Sequence, residues 1–384
     1  MDPFRRFVPL DNASAGAGHS CAQPGQQVEA TRKGGARLTP LLLSTSGRDL
    51  MRIAIAGAGV AGSYLYRLLK ARGFREVELF DIRHRIACGI HPCGYGVDDQ
   101  FHSAVRQVGL DPARYILHVP PRVLAAIEGV AAETTVFMID KPALLRDLRF
   151  DAEIRYEPVD VARYDLVVDA TGETRAYSTP LQDDLKARVV QWRVRVREPA
   201  MTGFMPTRGV PGYAWVMPLS QDGREVHVGG GTGAGISASA KSLTRPAFGS
   251  LDVESVICAC GARIRLCGPD FDRIVHQNVW AVGEAAGLVG PASGAGNVYA
   301  MQSARALADN LGDPDGYIRT LRQKFSLLVP EAKAVRKVVT GRWPSPVDLY
   351  HIRSGWTRAG VRVAWRDLPR LALAMGRAYR AELA

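Results

Sequence analysis

The clearest pattern of apolar and polar positions begins at Met51. An apolar run at residues 52–56 predicts a strand, a glycine-rich turn follows, and the next positions predict a helix through about Arg72. A second apolar run at residues 76–80 predicts another strand. The three elements form a β-α-β unit, which implies a parallel sheet covered by helices.

The middle of the chain has a different periodicity. After a predicted helix at residues 141–149 and a short strand at 164–168, residues 189–196 alternate between apolar and polar side chains, and residues 213–218 and 224–229 predict a strand pair. This alternation predicts an antiparallel sheet with one face toward a ligand or the core. A buried strand at 279–282 and a long helix from near Gly296 follow.

The first 50 residues differ from the rest. They are rich in Gly, Ser, Ala, Gln and Pro without apolar periodicity, which is typical of a disordered tail or an added leader. The chain contains no apolar run of about 18 residues, so we expect no membrane-spanning helix. Residues 41–43 are too short an apolar patch for a secretion signal. We therefore expect a cytoplasmic protein.

The glycine-rich turn has the spacing of a dinucleotide-binding motif. It reads Gly57-Ala58-Gly59-Val60-Ala61-Gly62, and Asp81 ends the second strand, with Ile82 and Arg83 after it. The first glycine permits a tight turn, the second lets backbone approach a pyrophosphate, and the third allows close helix packing. Free N–H groups at the helix N-terminus bind phosphates, and the acid binds ribose hydroxyls. A purely structural turn is the alternative.

Two later stretches favour FAD over NAD as the cofactor. Residues 164–172, which end in Ala170, Thr171 and Gly172, resemble the second dinucleotide contact of flavoproteins. Residues 279–286 resemble the third contact, with Gly283 followed by Glu284 where Asp is usual. The next turn would place a helix N-terminus beside the isoalloxazine ring, where N–H groups stabilise negative charge. Its candidate contacts are Pro291, Gly294, Ala295, Gly296 and Asn297.

With these elements in this order, the chain resembles the geranylgeranyl reductase family, among the flavoproteins shaped like p-hydroxybenzoate hydroxylase. The resemblance covers most of residues 51–310. It rests on Cys93-Gly94, on the turn at residues 291–297, here called the flavin-side loop, and on an aromatic strand motif followed by Gly229-Gly230-Gly231. That motif contains Tyr213, Trp215 and Met217, the last in place of the family's Phe. Alternate residues of a strand face one side, so we expect these three to line an apolar substrate cavity. A packed core pair is the alternative.

The resemblance implies an α/β fold. A Rossmann-like FAD-binding domain would span residues 51–175 and 270–325, an inserted antiparallel-sheet substrate domain residues 176–269, and a basic helical segment residues 326–384. It further implies reduction of C=C bonds in a prenyl (geranylgeranyl-type) lipid, with hydride from reduced flavin N5 and electrons from NAD(P)H or a ferredoxin-type donor. Cys93 is the candidate catalytic residue, as proton donor or pocket wall, and a buried inert thiol is the alternative. His91 is a second candidate donor.

The positive charge of the chain is concentrated near its C-terminus. The net charge is +11, and residues 331–384 contain eleven Lys or Arg against four Asp or Glu, with Trp343, Trp356 and Trp365 among them. Arg with Trp at this density suits an anionic lipid surface or a lipid phosphate, so we expect a peripheral membrane contact. A solvated helical face with buried Trp is the alternative. No nucleic-acid motif accompanies the charge.

Other functions fit the sequence less well. Six scattered cysteines do not predict a disulfide scaffold or a metal site. Cys88 and Cys93 have the spacing of a redox pair beside a flavin, but no second strand–GxGxxG–helix unit follows them. An FAD-dependent aromatic monooxygenase of the same fold is the main alternative function. A halogenase would carry a Trp-x-Trp-x-Ile-Pro element, and a flavin-bound interaction protein without activity is a further alternative.

Overall fold

The computed structural model describes residues 51–82, 94–126, 130–233 and 240–380 of the chain. The expected leader at residues 1–50 lies outside the described residues. So do four candidate site residues: Arg83, Cys88, His91 and Cys93.

The described residues form strands in four sheets, with helices packed against them. The strands are β1 (Ile53–Ala56), β2 (Val77–Phe80), β3 (Gly96–Val97), β4 (Ile116–His118), β5 (Val123–Ala126), β6 (Val130–Thr134), β7 (Phe137–Ile139), β8 (Ile154–Arg155), β9 (Leu166–Asp169), β10 (Lys186–Val196), β11 (Gly203–Pro206), β12 (Gly212–Pro218), β13 (Glu225–Thr232), β14 (Val253–Arg265), β15 (Val275–His276), β16 (Val279–Ala281) and β17 (Val361–Val363). The α-helices are α1 (Val60–Ala71), α2 (Gln100–Arg106), α3 (Lys141–Arg149), α4 (Ala240–Phe248), α5 (Asn297–Asp309), α6 (Pro314–Phe325), α7 (Leu328–Val339), α8 (Pro346–Arg358) and α9 (Leu368–Arg380).

The main sheet has the strand order β15-β16-β9-β1-β2-β8, and β1 pairs in parallel with both β2 and β9. All four residues of β1 are buried because helices and loops cover both faces of the sheet. Ile53 and Ile55 pack in the cluster that contains α1 and α5, whereas Ala54 and Ala56 pack on the opposite face. This is the parallel sheet that the β-α-β pattern predicts.

The second sheet is antiparallel, with the order β11-β12-β13-β10-β14. One face is a closed core, in which Trp192, Val194 and Val228 pack with Leu243 and Phe248 of α4. The other face opens toward the main sheet. In β10, β12 and β13, alternate residues therefore face the core and a cavity, as the apolar–polar alternation in the sequence predicts.

Two small sheets, β3-β7-β4 and β17-β6-β5, were not anticipated. The second includes β17 from the C-terminal segment, which pairs antiparallel with β6. The predicted C-terminal helical segment therefore contains α7, α8 and α9, together with the short strand β17. Within the described ranges, every helix is too short or too polar to cross a bilayer.

Candidate functional site

A continuous cavity of about 1330 Å³ lies between the two large sheets. Its wall includes residues at or just beyond the carboxyl ends of parallel strands, such as Ala56, Phe80, Ala170 and Val282, which is where α/β folds bind ligands. Most small-molecule sites occupy about 300–1,000 Å³. The cavity therefore has room for a cofactor and a second molecule.

The three motif glycines serve different purposes. A methyl group at Gly57 would lie 2.3 Å from the carbonyl oxygen of Ala170, and Gly57 also has a positive φ of 108°. A methyl group at Gly62 would lie 1.9 Å from the carbonyl oxygen of Gly57. Gly59, by contrast, has an ordinary φ of −71° and no atom within 4 Å of such a methyl. Gly59 lines the cavity, so the space beside it suits close approach of a phosphate to backbone.

The N-terminus of α1 is open to an anion. Its N-cap is Gly59, which supplies no side-chain hydrogen bond, and its first turn contains no acidic residue. The first N–H groups of a helix have no partner within the helix, and together they form a positive site. Val60 and Ala61 line the cavity at this point, so the residues present fit a pyrophosphate.

Arg149, at the end of α3, was not predicted as a site residue. Its Nε donates to Ser63 Oγ at 3.1 Å, and its Nη2 donates to the carbonyl oxygen of Ala58. Burial lowers the pKa of this guanidinium, and the carboxylate of Asp81 opposes that shift. Arg149 and Asp81 both line the cavity. The turn is therefore held by a cation whose charge also interacts with that of Asp81.

Asp81 follows β2 at the same end of the cavity. Its N–H donates to the carbonyl oxygen of Arg155 at 2.9 Å, and its Oδ1 accepts from the N–H of Ile82 at 2.9 Å. Asp81 and Ile82 line the cavity. These bonds fix where the carboxylate stands relative to the glycine turn.

The second expected contact is organised by a buried acid. Asp169, at the end of β9, accepts from the N–H of Thr171 at 3.1 Å and from the N–H of Ser178 at 2.8 Å. Ala170, Thr171 and Gly172 line the cavity beside the glycine turn. A fully buried carboxylate thus shapes a loop that faces the cavity.

Gly283 and Glu284 have separate positions. Gly283 has a φ of +58°, and a methyl there would lie 3.0 Å from Ala61 Cβ, so it lies just behind the wall, as Gly62 does. Glu284 lines the cavity, and its Oε1 accepts from the N–H of Arg265 on β14 at 2.8 Å. The longer side chain thus joins the main sheet to the antiparallel sheet. Burial raises the pKa of Glu284 to about 7, despite the opposing Arg265 N–H.

The flavin-side loop, residues 291–297, contributes Pro291, Gly294, Ala295, Gly296 and Asn297 to the wall. The Asn297 side chain donates to the carbonyl oxygen of Gly94 at 3.0 Å. The C-terminal helices hold the loop at Ala292. Glu331 of α7 accepts from the Ala292 N–H at 2.9 Å, and the Trp356 indole N–H donates to the Ala292 carbonyl at 3.2 Å.

Glu331 is fully buried and pairs with Arg358 of α8. A methyl at Gly355 would lie 2.3 Å from the Glu331 carboxylate, so this glycine makes room for the acid. The hydrogen bonds that Glu331 and Trp356 make to Ala292 were not predicted, because no local sequence pattern marks contacts between such distant segments.

Tyr213, Trp215 and Met217 all line the cavity. The rings of Tyr213 and Trp215 are 5.6 Å apart, and the Trp215 indole donates to Gln191 Oε1 at 3.0 Å. A methyl at Gly229, opposite on β13, would lie 2.2 Å from Trp215 Cζ2. The glycine therefore lets the indole lie across the neighbouring strand.

The far end of the cavity is lined by the C-terminal segment. Its apolar wall includes Ile352 and Trp356 of α8 and Leu371 and Met375 of α9. The hydroxyl of Tyr379 on α9 donates to the carbonyl oxygen of Gly212 at 3.1 Å. The sequence predicts a basic segment that contacts a lipid surface or a lipid phosphate, and it does not predict that the inner side of the segment completes the cavity wall.

The parallel sheet, its glycine-rich first turn, the antiparallel sheet and the cavity between them define the fold of FAD-dependent flavoproteins. No protein-family model matches the chain. A relative from Methanocaldococcus jannaschii, described as an uncharacterised protein, is 25% identical over 343 residues, covering 74% of this chain and 92% of the relative.

Solved structures share this fold. A geranylgeranyl bacteriochlorophyll reductase-like protein from Thermoplasma acidophilum superposes with a TM-score of 0.63 at 15% identity, covering 84% of this chain and 98% of that one. PqsL, a probable FAD-dependent monooxygenase from Pseudomonas aeruginosa, has a TM-score of 0.55 at 16% identity, with coverage of 80% and 99%. The predicted α/β flavoprotein fold is confirmed.

Proposed function

We propose that this chain is an FAD-dependent oxidoreductase that reduces C=C bonds in a prenyl-type lipid. The observation that carries the proposal is the change in lining along one cavity. At one end stand glycine backbone, a helix N-terminus and Asp81; at the other stand Trp215 and the apolar side chains of α8 and α9. One end suits a charged dinucleotide, and the other suits an apolar chain.

The residues that would hold FAD belong to four stretches of the wall. These are Gly59–Ala61 for the pyrophosphate, Asp81 for the ribose, Ala170–Gly172 beside the dinucleotide, and the loop from Pro291 to Asn297 beside the isoalloxazine. When bound, FAD supplies two-electron redox chemistry. Glu331 and Trp356 position the last stretch through Ala292, which keeps its N–H groups preorganised for negative charge.

The apolar end supports an alkene substrate. An isolated C=C bond has no carbonyl to polarise, so its reduction needs a tight apolar site and a proton donor. Phe204, Trp215, Leu371 and Met375 line that end. Such walls exclude water and hold the chain by burial of apolar surface.

The proton donor remains a prediction from the family resemblance. Cys93 is the candidate, and Gly94, the next residue, lines the cavity next to the flavin-side loop. Glu284 is a second group able to hold a proton near neutral pH, because burial raises its pKa to about 7. His227 suits the task less well, because burial lowers its pKa to about 3.

An anaerobic assay tests the function. Protein carrying reduced FAD is mixed with a geranylgeranylated lipid, and both flavin oxidation and lipid mass are followed. We expect flavin oxidation together with a lipid that has gained two hydrogens per reduced bond. No flavin oxidation and no mass change would contradict the proposal. NAD(P)H and reduced ferredoxin are compared as electron donors in the same assay.

The Cys93→Ala variant tests the predicted donor. Alkene reduction should slow at least tenfold while FAD remains bound, since the substitution removes the predicted proton source and leaves the four stretches proposed to hold FAD unaltered. Turnover equal to that of the unaltered protein would remove Cys93 from the mechanism.

A second candidate function, aromatic monooxygenase, is favoured by the likeness to PqsL. Protein carrying reduced FAD, given O₂ and an aromatic substrate in a parallel assay, distinguishes it, because a monooxygenase would transfer one oxygen atom of O₂ to the substrate and release the other as water, with reduced FAD as the reductant. Product mass therefore separates reduction from oxygenation.

A further inference from the structure

The outer side of the C-terminal segment exposes large apolar and basic side chains together. Trp343 is 63% exposed and Trp365 is 52% exposed. We define the C-terminal surface as the exposed residues Arg342, Trp343, Val347, Tyr350, Trp365, Arg366, Arg370, Leu373, Arg377 and Arg380. Exposed tryptophans and large aliphatic side chains grouped in one segment point to an interaction surface.

The charge of this segment is strongly positive. Residues 341–380 contain eight Arg and two Asp. One of the acids, Asp348, is buried and accepts from Lys337 Nζ at 2.8 Å, so it does not offset the outer charge. The surface therefore complements an anionic partner.

An arginine side chain packs against each of the two exposed tryptophans, Trp343 and Trp365. The Arg353 guanidinium lies 4.2 Å from the ring centre of Trp365, on which Tyr350 also stacks at 5.8 Å. The Arg380 guanidinium lies 5.2 Å from the ring centre of Trp343. Tryptophan and tyrosine rings beside arginine are typical of side chains at a bilayer–water interface, where the ring and the cation meet different layers.

The cavity opens at this surface. Arg342, Trp343 and Arg380 are exposed and also line the cavity, so they stand at its rim. Helix α9 separates the two environments, because Leu371 and Met375 line the cavity while Leu373 and Arg377 face outward. A second rim, at Ile82 and Tyr156, lies at the dinucleotide end. Two ligands can thus enter from opposite ends.

We propose that the C-terminal surface docks on an anionic lipid bilayer, and that the opening at Trp343 and Arg380 admits an apolar chain from that bilayer. The docking is supported by the exposed tryptophans, by the positive charge of the segment and by the cavity rim at this surface. The passage of a lipid substrate through that rim rests on the proposed function. Arginines are attracted to the negative surface potential, while the tryptophans and Leu373 bury apolar area among the acyl chains.

Vesicle sedimentation tests the docking with the full chain. Vesicles of phosphatidylcholine alone are compared with vesicles that also contain phosphatidylglycerol. We expect at least tenfold tighter binding to the anionic vesicles, weakened by added salt because surface charges are screened. The double variant Trp343→Ala/Trp365→Ala and the double variant Arg366→Glu/Arg370→Glu should each weaken binding at least tenfold.

Matched controls carry the same charge change elsewhere. Arg114→Glu/Arg146→Glu reverses two exposed arginines near α3 and should leave vesicle binding unchanged. Equal binding to neutral and anionic vesicles, or equal binding by all variants, would overturn the proposal. So would self-association through this surface, seen as a dimer in light scattering that Trp343→Ala dissociates, with no binding to vesicles.

The two proposals fail separately. Protein without flavin that still binds anionic vesicles supports docking even if the redox function is wrong. If the protein reduces lipid in detergent but does not bind vesicles, the redox function is retained and the docking is overturned.

Discussion

The two ends of the cavity are built in different ways. At the dinucleotide end, the wall is formed mainly by backbone, namely by glycine positions, a helix N-terminus and the carboxyl ends of parallel strands. At the apolar end, the wall is assembled from side chains of β11, β12, α8 and α9. The first end is a local device that any Rossmann-like unit can carry. The second depends on contacts between distant segments, and under the proposed function it is the end that would select the substrate.

The largest expected effect lies at the dinucleotide end. Replacing Gly62 by Val would place atoms within about 2 Å of the Gly57 carbonyl, a backbone group that cannot move aside. We expect a loss of about 4 kcal/mol or more in the free energy of unfolding, as for severe core overpacking. Urea denaturation measures it. Gly96→Ala, whose new methyl would meet its nearest neighbours at an ordinary 3.6 Å, is the control and should cost little.

A smaller effect is expected where the two ends meet, at Glu284. Its pKa rises from 4.5 to about 7 on folding because of burial, so the folded state binds more protons than the unfolded state in this range. The free energy of unfolding of the flavin-free protein should therefore fall as pH rises from about 4.5 to 7, by about 2–3 kcal/mol. In Glu284→Gln, which keeps an acceptor for the Arg265 N–H, the fall over this range should be smaller by that amount. An unchanged pH profile would contradict the assignment.

The smallest effect is expected at the apolar end and should spare the cofactor. In Gly229→Ala the new methyl would overlap the Trp215 indole, so the ring must turn into the cavity. We expect the KM for a prenyl substrate to rise about tenfold, or about 1.4 kcal/mol, with FAD affinity unchanged. Gly261→Ala on β14, with its nearest neighbour at 3.6 Å, should alter neither. Loss of FAD from the Gly229 variant would show that the two ends are not separable.

The same contrast explains what could be predicted from the sequence. Gly57, Gly59 and Asp81 lie within one β-α-β unit, so their spacing alone predicts their arrangement. The strand period of Tyr213, Trp215 and Met217 predicts their common face. The apolar end involves long-range pairings: Trp356 bonds to Ala292 across 64 residues, and Tyr379 to Gly212 across 167. No local period encodes such contacts.

Individual residues show the same limit. Arg149 lies 91 residues from the Ala58 carbonyl that it holds, and only the packing of α3 against α1 brings them together. In the sequence, Glu284 only differs from the usual Asp. In the structure, its extra methylene lets the carboxylate reach the β14 backbone. Strand β17 contains three residues and forms only because β6 offers an edge.

Gly59 tests the central claim most directly, because the protein itself does not require glycine there. In Gly59→Ala the new methyl would have no neighbour within 4 Å, so the free energy of unfolding should change by less than about 1 kcal/mol. The methyl would instead occupy the space proposed for the pyrophosphate, so FAD affinity, measured by fluorescence titration of the flavin-free protein, should fall at least tenfold. A folded Gly59→Ala protein that binds FAD as tightly as the unaltered chain would contradict the assignment of this end of the cavity to the dinucleotide.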